Sequence, residues 1–169
     1  PLYQRLLTLR ETALGPNHLE VAACLDNLAE VYEAQGQYSQ AEPLYQRALM
    51  LREQALKPNH PGIATRLHKL AEFFRAQQRY TEAEALHQRA LSIRELAFGP
   101  QHLHVATSLT SLALLYADQG QYAQAESLYE RATAVVEQVL GPDHPEVATM
   151  LHNQAEAYRS QGQYDKAEP

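Results

Sequence analysis

Residues 43–84 read PLYQRALMLREQALKPNHPGIATRLHKLAEFFRAQQRYTEAE, and the same outline recurs at 1–42, 85–126 and 127–168. The opening Pro43-Leu44-Tyr45-Gln46-Arg47 has counterparts in Pro1-Leu2-Tyr3-Gln4-Arg5, Ala85-Leu86-His87-Gln88-Arg89 and Ser127-Leu128-Tyr129-Glu130-Arg131. Residue 169 is a proline, the first letter of a fifth unit. A fixed period of this length marks stacked supersecondary units, each burying its apolar face only against its neighbours. The expectation is a single array over 1–169. Its four 42-residue units are 1–42, 43–84, 85–126 and 127–168, and the array is cut within the second helix of a unit at both ends.

Each unit reads as two helices. In the last one, Gly141-Pro142-Asp143-His144-Pro145 stops one helix and starts the next. Glycine suits a left-handed residue just past a helix end, and proline cannot continue the helix. Pro145 fits a first helical position, where the missing N–H costs nothing. Helix A is then predicted over 146–161, with Val147, Met150, Leu151, Gln154, Ala155 and Tyr158 spaced by threes and fours. Gln161-Gly162-Gln163-Tyr164 makes the turn into helix B, which is complete earlier, over 39–56. Alanines 22, 29 and 41 recur in every unit and let the helices approach closely. The Leu25, Leu67, Leu109, Leu151 column and the Tyr38, Tyr80, Tyr122, Tyr164 column are expected to fill the space between layers. Gln78 and Lys57 replace turn and helix-end glycines, so each costs about 1 kcal/mol if its position stays left-handed.

Composition narrows the function. The net charge is −6. Only repeat 2 is basic, through Arg47, Arg52, Lys57, Arg66, Lys69, Arg75 and Arg79 against four acids. That balance argues against nucleic-acid binding and permits an acidic peptide near repeat 2. One cysteine, Cys24, excludes an intrachain disulfide and fits a reducing, cytoplasmic setting. No apolar run within 1–169 is long enough for a membrane span and these residues contain no signal-peptide pattern, while the start in mid-repeat leaves room for a targeting segment upstream.

The column His18, His60, His102, His144 looks like a ligand set, but its members lie one repeat apart, about 10 Å for packed helices. Zinc needs ligands about 2 Å from one ion. The better expectation is that each imidazole caps helix A or bonds across its loop. His68, His104 and His152 fall on or near helix A and His87 on helix B, with no recognisable ligand motif. Glu30 and Glu33 form a surface carboxylate pair, and Cys24 has no activating neighbour. No phosphate loop or nucleophile elbow occurs. No catalysis, no metal and no cofactor are therefore expected.

Leu25, Leu28, Ala29, Tyr32, Ala41, Tyr45 and Ala48 carry the spacing large, large, small, aromatic, small, aromatic, small. This resembles the tetratricopeptide repeat, lengthened by residues ending in Gly-Pro-Asn-His or Gly-Pro-Asp-His. The longer unit is similar to that of kinesin light chains and related bacterial arrays. Asn27-Leu28-Ala29 and Gln35-Gly36-Gln37-Tyr38 strengthen the likeness, and the glutamine-rich turns look bacterial. The resemblance implies an all-α, right-handed superhelical solenoid of antiparallel helix pairs. Its A helices would line a concave groove that binds an extended peptide or partner segment.

Carried onto this sequence, helix A positions 23, 26, 27, 30 and 33, with their equivalents, face that groove. The ligand contacts implied are Asn27, Lys69, Arg75, Ser111, Asn153 and Arg159. Asparagine offers a donor and an acceptor to a peptide backbone, and lysine and arginine hold carboxylates. Asn27 and Lys69 match the chemistry of a terminal-carboxylate clamp, but Ala23 and Thr65 replace its other usual base. The rival reading is a structural spacer or self-associating rod with no specific groove ligand. The first and last segments are complementary parts of one helix and lack polar caps. They predict head-to-tail stacking or exchange of terminal helices.

Overall fold

The computed structural model describes residues 2–167. Its helices are α1 Leu2–Leu14, α2 Leu19–Ala34, α3 Tyr38–Ala55, α4 Pro61–Ala76, α5 Tyr80–Phe98, α6 Leu103–Asp118, α7 Tyr122–Leu140, α8 Pro145–Ser160 and α9 Tyr164–Ala167. No strand occurs among the described residues, so the fold is an all-α helical repeat. The A helices (α2, α4, α6, α8) each have 16 residues. The complete B helices are longer, at 18 residues in α3 and 19 in α5 and α7.

The chain forms two compact units, 1–66 and 67–169, whose border falls inside α4. In 1–66, α2 packs on α3 and on α1. Val21, Ala22 and Leu25 of α2 meet Ala48 and Leu51 of α3 with no exposure, and Leu7 and Leu44 close the edge. In 67–169, α6 packs mainly on α7, with α5 and α8 flanking that pair. Val105, Ala106 and Leu109 meet Ala132, Val135, Val136 and Val147 there. A second cluster joins Ala113, Ala125, Tyr129 and Ala157. The repeated alanines at 22, 29, 64, 71, 106 and 113 are at most 2% exposed, as close helix approach requires.

The leucine column is buried in three of its copies. Leu25, Leu67 and Leu109 have no exposure, each burial worth about 1.5–3 kcal/mol, whereas Leu151 is 50% exposed. Leu109 is covered by Ala132 and Val135 of α7, and the positions equivalent to these lie beyond residue 169. The tyrosine column fills the space between layers only in part, through the half-buried Tyr80 and Tyr122. Tyr38, Tyr80, Tyr122 and Tyr164 each begin a B helix, where a side chain lies beside the turn, and Tyr38 and Tyr164 are exposed. Further bulk comes from Tyr45 and Tyr129, buried in α3 and α7.

The ends of the helices explain several residues shared by every repeat. His18, His102 and His144 are N-caps of α2, α6 and α8. Nδ1 of each accepts the N–H two residues on, at 3.1–3.2 Å, and His60 Nδ1 accepts from Gly62 N–H at 3.0 Å. The histidine column is structural, as its spacing predicts. At the other end of helix A, the side-chain amides of Gln77 and Gln119 donate to the carbonyls of Phe73 and Leu115 in the last turn. Gly36, Gly120 and Gly162 then turn the chain at φ 71–72°, and Gln78 takes the same left-handed conformation at φ 60°. Lys57 escapes it. Helix α3 ends at Ala55 with Leu56 extended (φ −111°, ψ 160°), whereas α5 and α7 run on to Gly99 and Gly141 at φ 83° and 91°.

Candidate functional site

The A helices present one face packed against B helices and another left open. Along α2 the residues Val21, Ala22, Cys24, Leu25, Asp26, Leu28 and Ala29 are buried, while Ala23, Asn27 and Glu30 are exposed. Asp26 was expected in the groove but is only 4% exposed. Arg52 Nη2 of α3 lies 2.5 Å from its Oδ2 and Arg66 Nη1 of α4 lies 3.2 Å away. Burial pushes the Arg52 guanidinium below its ordinary pKa, and the Asp26 charge opposes that. This carboxylate is a structural counter-ion.

The six residues expected to contact a ligand have different surroundings. Asn27 and Lys69 are exposed on α2 and α4. Arg75 already holds two carboxylates, Glu72 Oε2 at 2.9 Å and Asp118 Oδ2 at 2.7 Å. Ser111 is 7% exposed, and its hydroxyl donates to Thr107 O at 3.1 Å. Asn153 is half-buried and lines a cavity of about 260 Å³ with Asp118, Glu156 and Ser160. Arg159 is exposed and pairs with Glu156 at 2.6 Å. Most other basic residues of repeat 2 are similarly engaged: Arg47 with Glu11 at 2.7 Å, Arg52 and Arg66 with Asp26, and Arg79 with Glu82 at 2.7 Å.

One recess in 67–169 is a cavity of about 490 Å³. Leu103, Ala106, Leu114 and Met150 give it an apolar floor, and Thr107 and Glu146 are among its polar residues. His68 and Glu72 stand at one side, one helical turn apart on α4. His87 of α5 is completely buried behind them, its Nε2 3.2 Å from Glu72 Oε1, and the two imidazole rings are 5.3 Å apart. Burial, and then the neighbouring His87, push His68 down to about 4. Burial alone would raise Glu72, but His87 and Arg75 outweigh it and hold the carboxyl at about 2. The site therefore offers a neutral imidazole and an ionised carboxylate at neutral pH.

Sequence reasoning set His68 and His87 on different helices and linked neither to Glu72. Two signals pointed to them. His68 and Glu72 have the i, i+4 spacing that aligns side chains on one helix face. His87 stands where the other repeats have Tyr3, Tyr45 and Tyr129.

The tetratricopeptide repeat family model matches residues 1–54, 62–138 and 110–169. Among solved structures, a protein from Podosopora anserina, described as a kinesin light chain with nearly identical TPR-like repeats, is 26% identical with a TM-score of 0.85. It covers 99% of this chain and 79% of its own, and a point variant of that protein gives 0.86 over the same shares. BtubC (BKLC) from P. vanneervenii is 25% identical with a TM-score of 0.82, over 99% of this chain and 66% of its own. Comparison with curated proteins finds no match. No described helix is long and apolar enough to cross a membrane. Repeats, helix pairs and caps agree with these likenesses: the chain belongs to the tetratricopeptide repeat family, whose members are generally protein-interaction scaffolds.

Proposed function

We propose that this chain is an interaction scaffold that receives an extended partner segment on the open face of its A helices. The observation that supports this reading is the recess on α6 and α8, with an apolar floor and polar residues beside it. Such a recess suits an apolar anchor on a peptide whose backbone is held by hydrogen bonds. Asn27, Lys69, Ser111 and Asn153 are the polar contacts in this reading, and Arg75 and Arg159 act through the carboxylates they already hold. Because most basic residues of repeat 2 face carboxylates within the chain, the partner is read by shape and hydrogen bonding more than by net charge.

A peptide-display screen tests this directly, run beside Asn27→Ala/Lys69→Ala/Asn153→Ala and beside Thr107→Arg, which fills the recess from an exposed position. Enriched peptides lost by either folded variant support the proposal. No enrichment, or peptides kept by both variants, overturns it in favour of a spacer.

Self-association is a second reading with its own observations. Leu151 is half-exposed beside a cavity of about 530 Å³ lined by Ala148, Ala155 and Tyr158. At the other end, Leu9 of α1 is 59% exposed where its equivalents Leu51, Ile93 and Val135 are at most 4%. A second copy's α1, itself a B helix, fits the face that α8 leaves open. Sedimentation at rising concentration is expected to reveal oligomers that Leu151→Glu and Leu9→Glu each abolish. A monomer throughout would end this reading.

A further inference from the structure

We propose that His68, Glu72 and His87 form a binding site for one divalent transition-metal ion of the zinc class. Potential ligand atoms of the three residues all lie within 4.8 Å of one another. Zinc takes imidazole nitrogen and carboxylate oxygen at about 2.0–2.2 Å in a tetrahedron, which sets neighbouring ligands about 3.3 Å apart. Glu72 Oε1 and His87 Nε2 already stand at 3.2 Å. Only His68, half-buried at the cavity edge, has to shift.

Three observations raise this above a chance cluster. First, His87 is completely buried, its Nδ1 has no hydrogen-bond partner, and its Nε2 faces Glu72 Oε1 at 3.2 Å. A buried polar group left so is costly, and most are satisfied. Repeat geometry does not demand it, since Tyr45 and Tyr129 fill the same position in α3 and α7. Second, the carboxylate is already oriented: Arg75 holds Glu72 Oε2 at 2.9 Å, which leaves Oε1 toward His87. Third, Ser111 Oγ lies 3.5 Å from His68 Nδ1. A proton on Nδ1 facing that hydroxyl leaves Nε2 with the lone pair. Such outer partners orient ligands in metal sites.

Two imidazoles and one carboxylate leave a fourth coordination position, and the cavity beside His68 and Glu72 has room for water or for a donor from a bound segment. The charges oppose one another. Arg94 lies close enough to lower the His68 pKa, but its guanidinium is directed to Ser108 Oγ at 2.6 Å and His104 O at 3.3 Å. Asp118 shares the charge of Arg75. The proposal does not depend on the peptide reading, since its three ligands come from α4 and α5 alone.

Metal-free full chain is titrated with ZnCl₂ by calorimetry and with CoCl₂ by visible absorption. One ion per chain is expected, with the intense cobalt d–d bands of a four-coordinate site. His87→Tyr restores the residue of positions 45 and 129, so it should fold. It and Glu72→Gln are expected to weaken binding at least 100-fold. The imidazoles of His102 and His104, 5.0 Å apart beside Phe98, are the competing surface site. His102→Asn/His104→Ala is expected to leave the stoichiometric site intact. No zinc binding, wild-type binding by His87→Tyr, or loss only in the His102→Asn/His104→Ala chain would overturn the assignment. If His87→Tyr fails to fold, His68→Thr, carrying the residue of position 110, takes its place with the same expected loss.

Discussion

Three equivalent positions are filled in two opposite ways in the two units. In 1–66 they are Asp26, Arg52 and Arg66, a buried carboxylate between two guanidiniums. Two repeats on, within 67–169, they are Thr110, Val136 and Met150: Val136 is 3% exposed in the apolar cluster, and the Thr110 hydroxyl donates to the Ala106 carbonyl at 3.0 Å with Met150 Sδ 3.3 Å away. The intermediate layer has His68, Arg94 and Ser108, with Arg94 bonded to Ser108. The backbone therefore does not dictate the chemistry of the layer. Each set is consistent within itself, and a mixture of sets would leave a buried charge unanswered.

Substitutions can break this comparison. The largest effect is expected for Asp26→Ala, which leaves the 8%-exposed Arg52 uncompensated. Urea unfolding should show a loss of about 3 kcal/mol or more. Val136→Arg places the opposite error in the dry layer, facing Thr110 and Met150, and should cost about 2–3 kcal/mol by the same measurement. Next comes His144→Ala, which removes the cap on α8 and should lower stability by about 1 kcal/mol, while His144→Asn restores most of it. Gln78→Gly relieves a left-handed side chain and should raise stability by up to about 1 kcal/mol. The sharpest test has the smallest effect. Asp26→Thr/Arg52→Val/Arg66→Met transplants the whole dry set and should change stability by no more than about 1 kcal/mol, because removing all members of a buried ionic set is often neutral or better. A loss as large as that of Asp26→Ala would mean the layers are not interchangeable.

Much of the fold was legible because each column is sampled several times. Helix A was read as starting at Glu146 and starts at Pro145, and helix B at Ser39 and starts at Tyr38. Caps were legible too, because local spacing sets them. Contacts between repeats were not. The Arg75–Asp118 pair spans 43 residues, and nothing in either residue announces the other. Asp26 read as a groove residue because its helical position faces that way, and its burial depends on an arginine from the next helix. Tyr38 read as core because its column is uniform, yet uniformity there reflects the start of a helix. At the candidate metal site the signal was a break in a column, His87 among tyrosines, which only the tertiary contacts could join to His68 and Glu72.

One pairing occurs within each unit. Arg47 bonds Glu11 and the Pro16 carbonyl in 1–66, and Arg131 bonds Glu95 in 67–169, from two columns that hold Arg and Glu in every repeat. Tyr116 and Tyr158 likewise donate to Glu84 and Glu126, 32 residues earlier in each case. Such fasteners accept any neighbouring module. A gene carrying this pattern can gain or lose a whole unit by recombination without spoiling the seam. The ionic and dry layer sets do not share that tolerance, since each draws one residue from the following A helix, as Asp26 and Arg52 do from α4. The order of the modules is thus recorded in a few buried side chains, while their ability to join is written in columns that recur, with Phe74 the exception among the tyrosines.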